Sequence, residues 1–92
     1  MSYQVRMRPR AETEFLRLPD DAYERTLRRL RALETNPRPT ASSQLTGSLR
    51  AYRRLRIGDY RVCYHIDDDA RIITVVEVAH RSKAYKALDR RS

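Results

Sequence analysis

Most apolar residues of this chain fall into alternating stretches or stretches with helical spacing, and the order of these stretches predicts the architecture. Tyr3, Val5 and Met7 alternate with Gln4, Arg6 and Arg8, which suits a half-buried strand, and Pro9 ends it. Ala11, Phe15 and Leu18 then recur at intervals of four and three, giving one face of a short helix that stops near Pro19. Asp20 is a favourable N-cap for a second helix, with Asp21 and Glu24 placing negative charge in its first turn. Tyr23, Leu27, Leu30 and Leu33 continue the helical spacing up to Asn36-Pro37. Residues 36–48, NPRPTASSQLTGS, collect prolines and small polar residues and read as a loop. Beyond it the pattern predicts strands near residues 49–57, 60–66 and 72–79.

The pair Gly58-Asp59 joins two of these strands, with glycine at the first central position that a type II′ hairpin turn requires. A two-residue turn fixes the register. Ile57 then faces Tyr60, Arg56 faces Arg61, Leu55 faces Val62 and Arg54 faces Cys63. Leu55 and Val62 point to one face; Arg54, Arg56 and Arg61 point to the other. Two directly opposed arginines repel, and a sequence selected for stability alone has no reason to pair them. An anion between them relieves the repulsion.

The connection at residues 67–70, Asp-Asp-Asp-Ala, closes in two, three or four residues, so register leaves the faces of His80 and Arg81 unassigned. The segment from Ser82 onward is compatible with a short helix. The expected fold is α+β in one domain over residues 1–92: an N-terminal strand, a two-helix hairpin, then a three-stranded antiparallel meander, forming one sheet with the helices on one face. Phe15, Leu18, Leu27, Leu30 and Leu33 are expected to pack on Leu55, Ile57, Val62, Tyr64, Ile66, Ile73 and Val75, with the other sheet face left open.

Charge sharpens this picture. The formal charge is +8, and Lys83 and Lys86 are the only lysines among 20 basic residues. Guanidinium groups bind phosphate in bidentate fashion, so the bias favours nucleic acid over a merely solubilising surface. Membrane surfaces and acidic proteins remain possible targets of a basic chain. The single Cys63 allows no intramolecular disulfide and there is no Cys/His spacing for a metal, which points to a reducing, cytoplasmic setting without a metal or other cofactor. No apolar run approaches the roughly 20 residues that span a bilayer, and the N-terminus has no signal-peptide h-region. Asp67, Asp68 and Asp69 read as a solvated turn, since consecutive carboxylates in a tight loop cannot surround a calcium ion. His65 reads as an exposed sheet residue at the rim of the arginine face.

Two motifs, Arg-Leu-Arg-Ile-Gly-Asp-Tyr-Arg-Val-x-Tyr at residues 54–64 and Val-x-His-Arg-x-x-x-Tyr at residues 78–85, resemble those of the RelE/ParE superfamily of bacterial toxins, and of the RelE-like mRNA interferases in particular. The resemblance implies an endoribonuclease of a type II toxin–antitoxin system that cleaves mRNA in the ribosomal A site without metal and is silenced by a cognate antitoxin. It places the basic strand positions on Arg54 and Arg56, the two catalytic arginines on Arg61 and Arg81, and the late tyrosine on Tyr85. His80 stands where relatives use His or Lys. The chain departs from the best-known member by a shorter hairpin, a closer Arg-to-Tyr spacing, and arginines where that member has lysines.

Metal-free RNA cleavage proceeds by attack of a 2′-hydroxyl on the adjacent phosphate and needs a base, an acid and a positive clamp. Arginines suit the clamp because they hold a fixed fork of donors without titrating. For proton transfer, Tyr85 is a base candidate if neighbouring arginines favour its phenolate, though it could equally stack on a nucleotide base, and His80 is the conventional alternative because imidazole titrates near neutrality. Two other functions fit the same chain: a ParE-like inhibitor of DNA gyrase, which does not depend on these residues, and a non-enzymatic basic module that receives an acidic partner.

Overall fold

The computed structural model describes residues 2–84, so Tyr85 and the rest of the C-terminal segment lie outside the described residues. Strand β1 (Gln4–Met7) leads through Arg8 into helix α1 (Pro9–Leu16), which has proline at its first position, where the missing N–H costs nothing. Helix α2 (Asp20–Leu33) follows. Its N-cap is Pro19, without a side-chain cap bond, and Asp20 is the first helical residue; Asp20 and Asp21 oppose the helix dipole from inside the first turn, not from the cap.

Strands β2 (Ser42–Gln44), β3 (Arg53–Ile57), β4 (Tyr60–Asp67) and β5 (Ile72–His80) complete a five-stranded sheet of order β1-β5-β4-β3-β2. All pairs are antiparallel except β1 with β5. The α+β architecture is as expected, but the sheet gains β2 from the stretch read as loop. Those three residues pair along β3, Ser42 opposite Leu55 and Gln44 opposite Arg53, and form the sheet edge. The strand is short and polar, as befits an edge.

The β3–β4 hairpin has the expected register throughout, with Arg56 opposite Arg61. Gly58 has φ +60°, the left-handed region that its turn position demands. A Cβ there would lie 2.6 Å from Arg25 Nη1, so the guanidinium of this α2 residue reaches the turn.

The β4–β5 ladder contains a bulge that decides which side chains share a face. Asp67 pairs with Ile72 and Tyr64 with Val75, but Cys63 pairs with Glu77, so Val76 is an extra residue on β5. Beyond the bulge Arg61 pairs with Ala79 and Tyr60 with His80. An unbroken ladder from Asp67 would set Tyr60 opposite Ala79. One inserted residue therefore exchanges the faces of everything after it on β5.

The helices cover one face of the sheet, over a core of Phe15, Leu30, Leu33, Leu55, Ile57, Val62, Tyr64, Ile73, Val75 and Val78. Leu18, Leu27 and Ile66 pack at its margin, as the spacing predicts. Phe15 stacks on Tyr23 with ring centroids 4.5 Å apart, and Tyr64 Oη donates to the Pro37 carbonyl at 2.8 Å. The opposite face is not wholly open. Cys63 and Val76 are buried there beneath Leu45, Leu49 and Tyr52, carried by the chain around a short 3₁₀ turn at Gly47–Leu49.

One core group invites improvement. Thr26 is fully buried in α2, and its hydroxyl has no hydrogen-bond partner among the described residues. Valine keeps the shape and removes the stranded polar atom. Thr26→Val is expected to raise the unfolding free energy by about 1 kcal/mol, read from the urea midpoint at unchanged m-value; a lower midpoint would contradict the assignment.

Far from the arginine face, Tyr3 Oη donates to Asp68 Oδ1 at 2.6 Å and Arg38 Nη2 donates to Asp68 Oδ2 at 2.8 Å. This network ties the N-terminus, the 36–41 loop and the β4–β5 turn together. Hydrogen bonds from Arg38 and Tyr3 hold the Asp68 carboxyl down at about 2. A depressed carboxylate contributes stability above its unfolded-state value and loses it as pH falls through the folded one. The melting-temperature gap between wild type and Asp68→Asn is thus expected to be present at pH 5 and to close towards pH 2. A gap that persists at pH 2 would mean the network acts through something other than this ionisation.

Candidate functional site

The sheet face turned away from the helices carries a row of arginines. On β3 it carries Arg54 and Arg56, and on β4 Arg61, Cys63 and His65. On β5 it carries Ala79, Glu77 and Thr74, the partners of Arg61, Cys63 and His65. Parallel pairing of β1 adds Arg6, opposite Thr74, and brings Arg8 alongside, its backbone N–H donating to the Val75 carbonyl. Across the three intervening strand spacings, β1 and β3 stand about 14 Å apart. The result is a shallow trough with arginines on both banks and Arg61, Cys63, His65, Thr74, Glu77 and Ala79 between them.

The three arginines of the β3–β4 hairpin are held differently. Arg54 is half-buried, and its Nε donates to Ser43 Oγ at 2.9 Å. That contact depends on β2, the strand that composition concealed. Arg61 Nη1 donates to the carbonyls of Gly58 and Tyr60 at 3.1 and 3.0 Å. Its guanidinium is thereby held beside the hairpin turn. Arg56 is exposed directly opposite. Among the described residues no ion pair joins Arg54, Arg56 or Arg61 to a carboxylate.

Arg81 follows β5, and its backbone N–H donates to the Asp59 carbonyl at 2.8 Å. This bond sets residue 81, in the turn that follows β5, beside Asp59, and continued alternation from β5 would give it the face of Ala79 and Arg61. His80 has the other face. It pairs with Tyr60, which pairs with Ile57 of the helix-side core, and its ring meets the Tyr60 ring edge-on at 5.6 Å. Its Nδ1 lies 3.0 Å from Ser82 Oγ. The structure therefore joins Arg54, Arg56, Arg61 and the Arg81 position, and sets His80 apart on the helix side. The cause is the bulge at Val76. Tyr85 lies outside the described residues.

His80 instead lines a cleft of about 510 Å³ between α1 and the part of β5 that extends past β1, together with Arg10, Arg17, Tyr60 and Lys83. Glu14 closes the strand edge there, its Oε1 accepting the Val78 backbone N–H at 3.1 Å. Cys63, fully buried on the trough floor, is an inert thiol: burial, and secondarily the charge of Glu77, push it well above the usual thiol range. Among the described residues no group of three His, Cys, Asp or Glu side chains is placed to hold a metal ion, Asp67 to Asp69 included. No helix among them is long and apolar enough to cross a membrane.

Sequence reasoning missed Arg6, Arg8 and Tyr52 as members of this face. The alternation of β1 was visible, but nothing local says that its polar side continues the face of Arg61, because that follows from a parallel pairing across 60-odd residues of chain.

Comparison with known proteins gives concordant results. Residues 5–85 match the family described as the ParE toxin of type II toxin–antitoxin systems, parDE. The chain is 33% identical over 89 residues to the RelE1 protein of Methanocaldococcus jannaschii, across 94% of this chain and 98% of that one. It superposes on a chain of the RelBE2 toxin–antitoxin complex of Mycobacterium tuberculosis with a TM-score of 0.79 at 26% identity, over 88% of this chain and 100% of that one. With the archaeal RelE–RelB complex of Pyrococcus horikoshii OT3 the TM-score is 0.78 at 28% identity, over 91% and 100% of the two chains.

Proposed function

The chain belongs to the RelE/ParE superfamily of type II toxins, and from that premise we propose that it is a ribosome-dependent endoribonuclease cutting mRNA in the A site. The observation that carries this reading is Arg56 set directly opposite Arg61 on the sheet face turned away from the helices. A toxin that acted through its helices alone would have no use for a pair that costs stability.

Cleavage by this reading begins when the 2′-hydroxyl of one nucleotide attacks its own 3′-phosphate. The 5′-oxygen of the next nucleotide leaves, giving a 2′,3′-cyclic phosphate and a 5′-hydroxyl. Negative charge grows on the non-bridging oxygens, and in this reading Arg61 and Arg81 neutralise it. Arg54 and Arg56 hold neighbouring phosphates and fix the strand. With His80 on the far side of the sheet, the proton-transfer role falls to Tyr85, four residues beyond Arg81. The partner is a cognate antitoxin, as in the two toxin–antitoxin complexes that this fold matches. An acidic segment of it suits the arginines of the trough.

Programmed ribosomes provide the test. Purified protein is expected to cut A-site mRNA, Tyr85→Phe to do so at least a hundredfold more slowly, and His80→Gln to stay close to wild type. Full activity in Tyr85→Phe would remove the tyrosine from the mechanism. The family match also admits a second reading, a ParE-like inhibitor of gyrase. Inhibition of gyrase supercoiling without any mRNA cleavage would establish it in place of the first.

A further inference from the structure

Four residues along β4 from Arg61, the trough deepens into a small pocket of about 240 Å³ lined by Arg8, Ala51, Tyr52, His65, Thr74 and Val76. At about 3.3 Å per residue the separation is roughly 13 Å, a distance that a few nucleotides span. The pocket lies below the roughly 300 Å³ at which sites for drug-sized ligands begin, so it suits one planar group. Its lining includes a tyrosine, a histidine and an arginine, residue types whose rings and guanidinium hold unstacked bases in single-stranded RNA complexes.

The backbone that carries this lining is held by hydrogen bonds. Tyr52 N–H donates to the Leu49 carbonyl at 2.9 Å and Tyr52 O accepts from Leu45 N–H at 3.0 Å. One side of the residue packs over Cys63 and Val76. His65 stands exposed beside Thr74, whose other neighbour is Arg6. Arg8 is anchored by its backbone to Val75 and is exposed. An acidic peptide would need charge here but not two rings; a base needs both.

We propose that Arg8, Tyr52 and His65 form a base-stacking subsite that receives one nucleotide of the single-stranded RNA, a few positions from the phosphate held by Arg56 and Arg61. The subsite rests on the RNA-cleavage reading and gives it a specificity element. Tyr52 and His65 stack on the faces of the base, Arg8 adds a cation–π contact and neutralises a phosphate beside it, and the Thr74 hydroxyl meets a polar edge.

The test uses a short mRNA in programmed ribosomes with one abasic nucleotide moved position by position around the cut. In the wild-type protein one position away from the cut is expected to lower kcat/KM about tenfold or more when abasic. In Tyr52→Leu/His65→Ala that penalty is expected to vanish, with the intact substrate already slowed by a similar factor. A penalty that survives in the variant, or no penalised position, would overturn the subsite. Should the Tyr52 change unfold the protein by circular dichroism, Arg8→Ala/His65→Ala carries the same comparison, since both residues are exposed. If the wild type cuts no mRNA, the cleavage reading fails, and equilibrium binding of the same oligonucleotides to the protein alone decides the subsite. An abasic penalty there, absent in the variant, upholds it as an RNA-binding site; uniform binding or none overturns it.

Discussion

Arg61→Ala is expected to slow mRNA cleavage about a hundredfold, corresponding to roughly 3 kcal/mol of transition-state stabilisation, with little change in melting temperature. The size follows from how the side chain is held. Nη1 is spent on the carbonyls of Gly58 and Tyr60, which orients the guanidinium over the turn before any substrate arrives. The fork of Nε and Nη2 has no acceptor recorded among the described residues. Such pre-orientation means that little reorganisation accompanies the growth of charge on phosphate. Arg61→Lys keeps the charge but not the fork, and is expected to recover only part of the rate. The fold should not suffer, because removing Arg61 also removes its repulsion from Arg56, a contact of roughly 0.2 to 1 kcal/mol in an antiparallel pair. Single-turnover kinetics on programmed ribosomes, with a thermal melt of the same sample, reads both quantities. Unchanged cleavage in Arg61→Ala would sink the clamp; a collapsed melt with normal cleavage per folded molecule would recast Arg61 as structural.

The clamp was half legible in the chain. A two-residue turn leaves one register, so the shared face of Arg54, Arg56 and Arg61 followed from Gly58-Asp59 without any long-range information. The second half was hidden by two features that act together. The β4–β5 turn spans four residues, Asp68 to Arg71, with Arg71 itself at φ +56°, and the ladder that leaves it runs true only as far as Tyr64. The bulge at Val76 then moves His80 to the helix side and the Arg81 position to the side of Arg61. No local pattern marks it, because Val75 and Val76 are both valine and either fits a buried strand. The edge strand β2 was hidden for the opposite reason: Ser42, Ser43 and Gln44 show no alternation to detect, and their pairing is set by β3. Its consequence is functional, since Ser43 is what steadies Arg54. Resemblance to a toxin family named Arg81 and Tyr85 where geometry from sequence had stopped.

Leu55→Ala is the largest stability loss expected, about 3 kcal/mol within the range of buried leucine truncations. Leu55 is fully buried in the helix-side core, between Arg54 and Arg56 in sequence and between Ser42 and Val62 across the sheet. Its neighbours belong to three strands and a helix layer that cannot all close on the void. For a chain of this size the whole unfolding free energy is on the order of 5 to 14 kcal/mol, so the variant gives up a large share and is expected to melt roughly 15 °C lower. Leu55→Ile keeps the volume and is expected to lose less than about 1.5 kcal/mol. The arginine face gives this loss a further meaning. Alternation makes Leu55 the residue that turns Arg54 and Arg56 outward, so the same burial that stabilises the strand aims the arginines of the proposed clamp. Well below its melting point, Leu55→Ala is therefore expected to cleave at near wild-type rate per folded molecule, because Val62, Ile57 and the Gly58 turn still fix the register. A stability loss under 1 kcal/mol would show that this strand is not anchored through the core. Lost cleavage in a fully folded sample would show that the aim of the arginines depends on Leu55 packing itself, beyond the register that the hairpin provides.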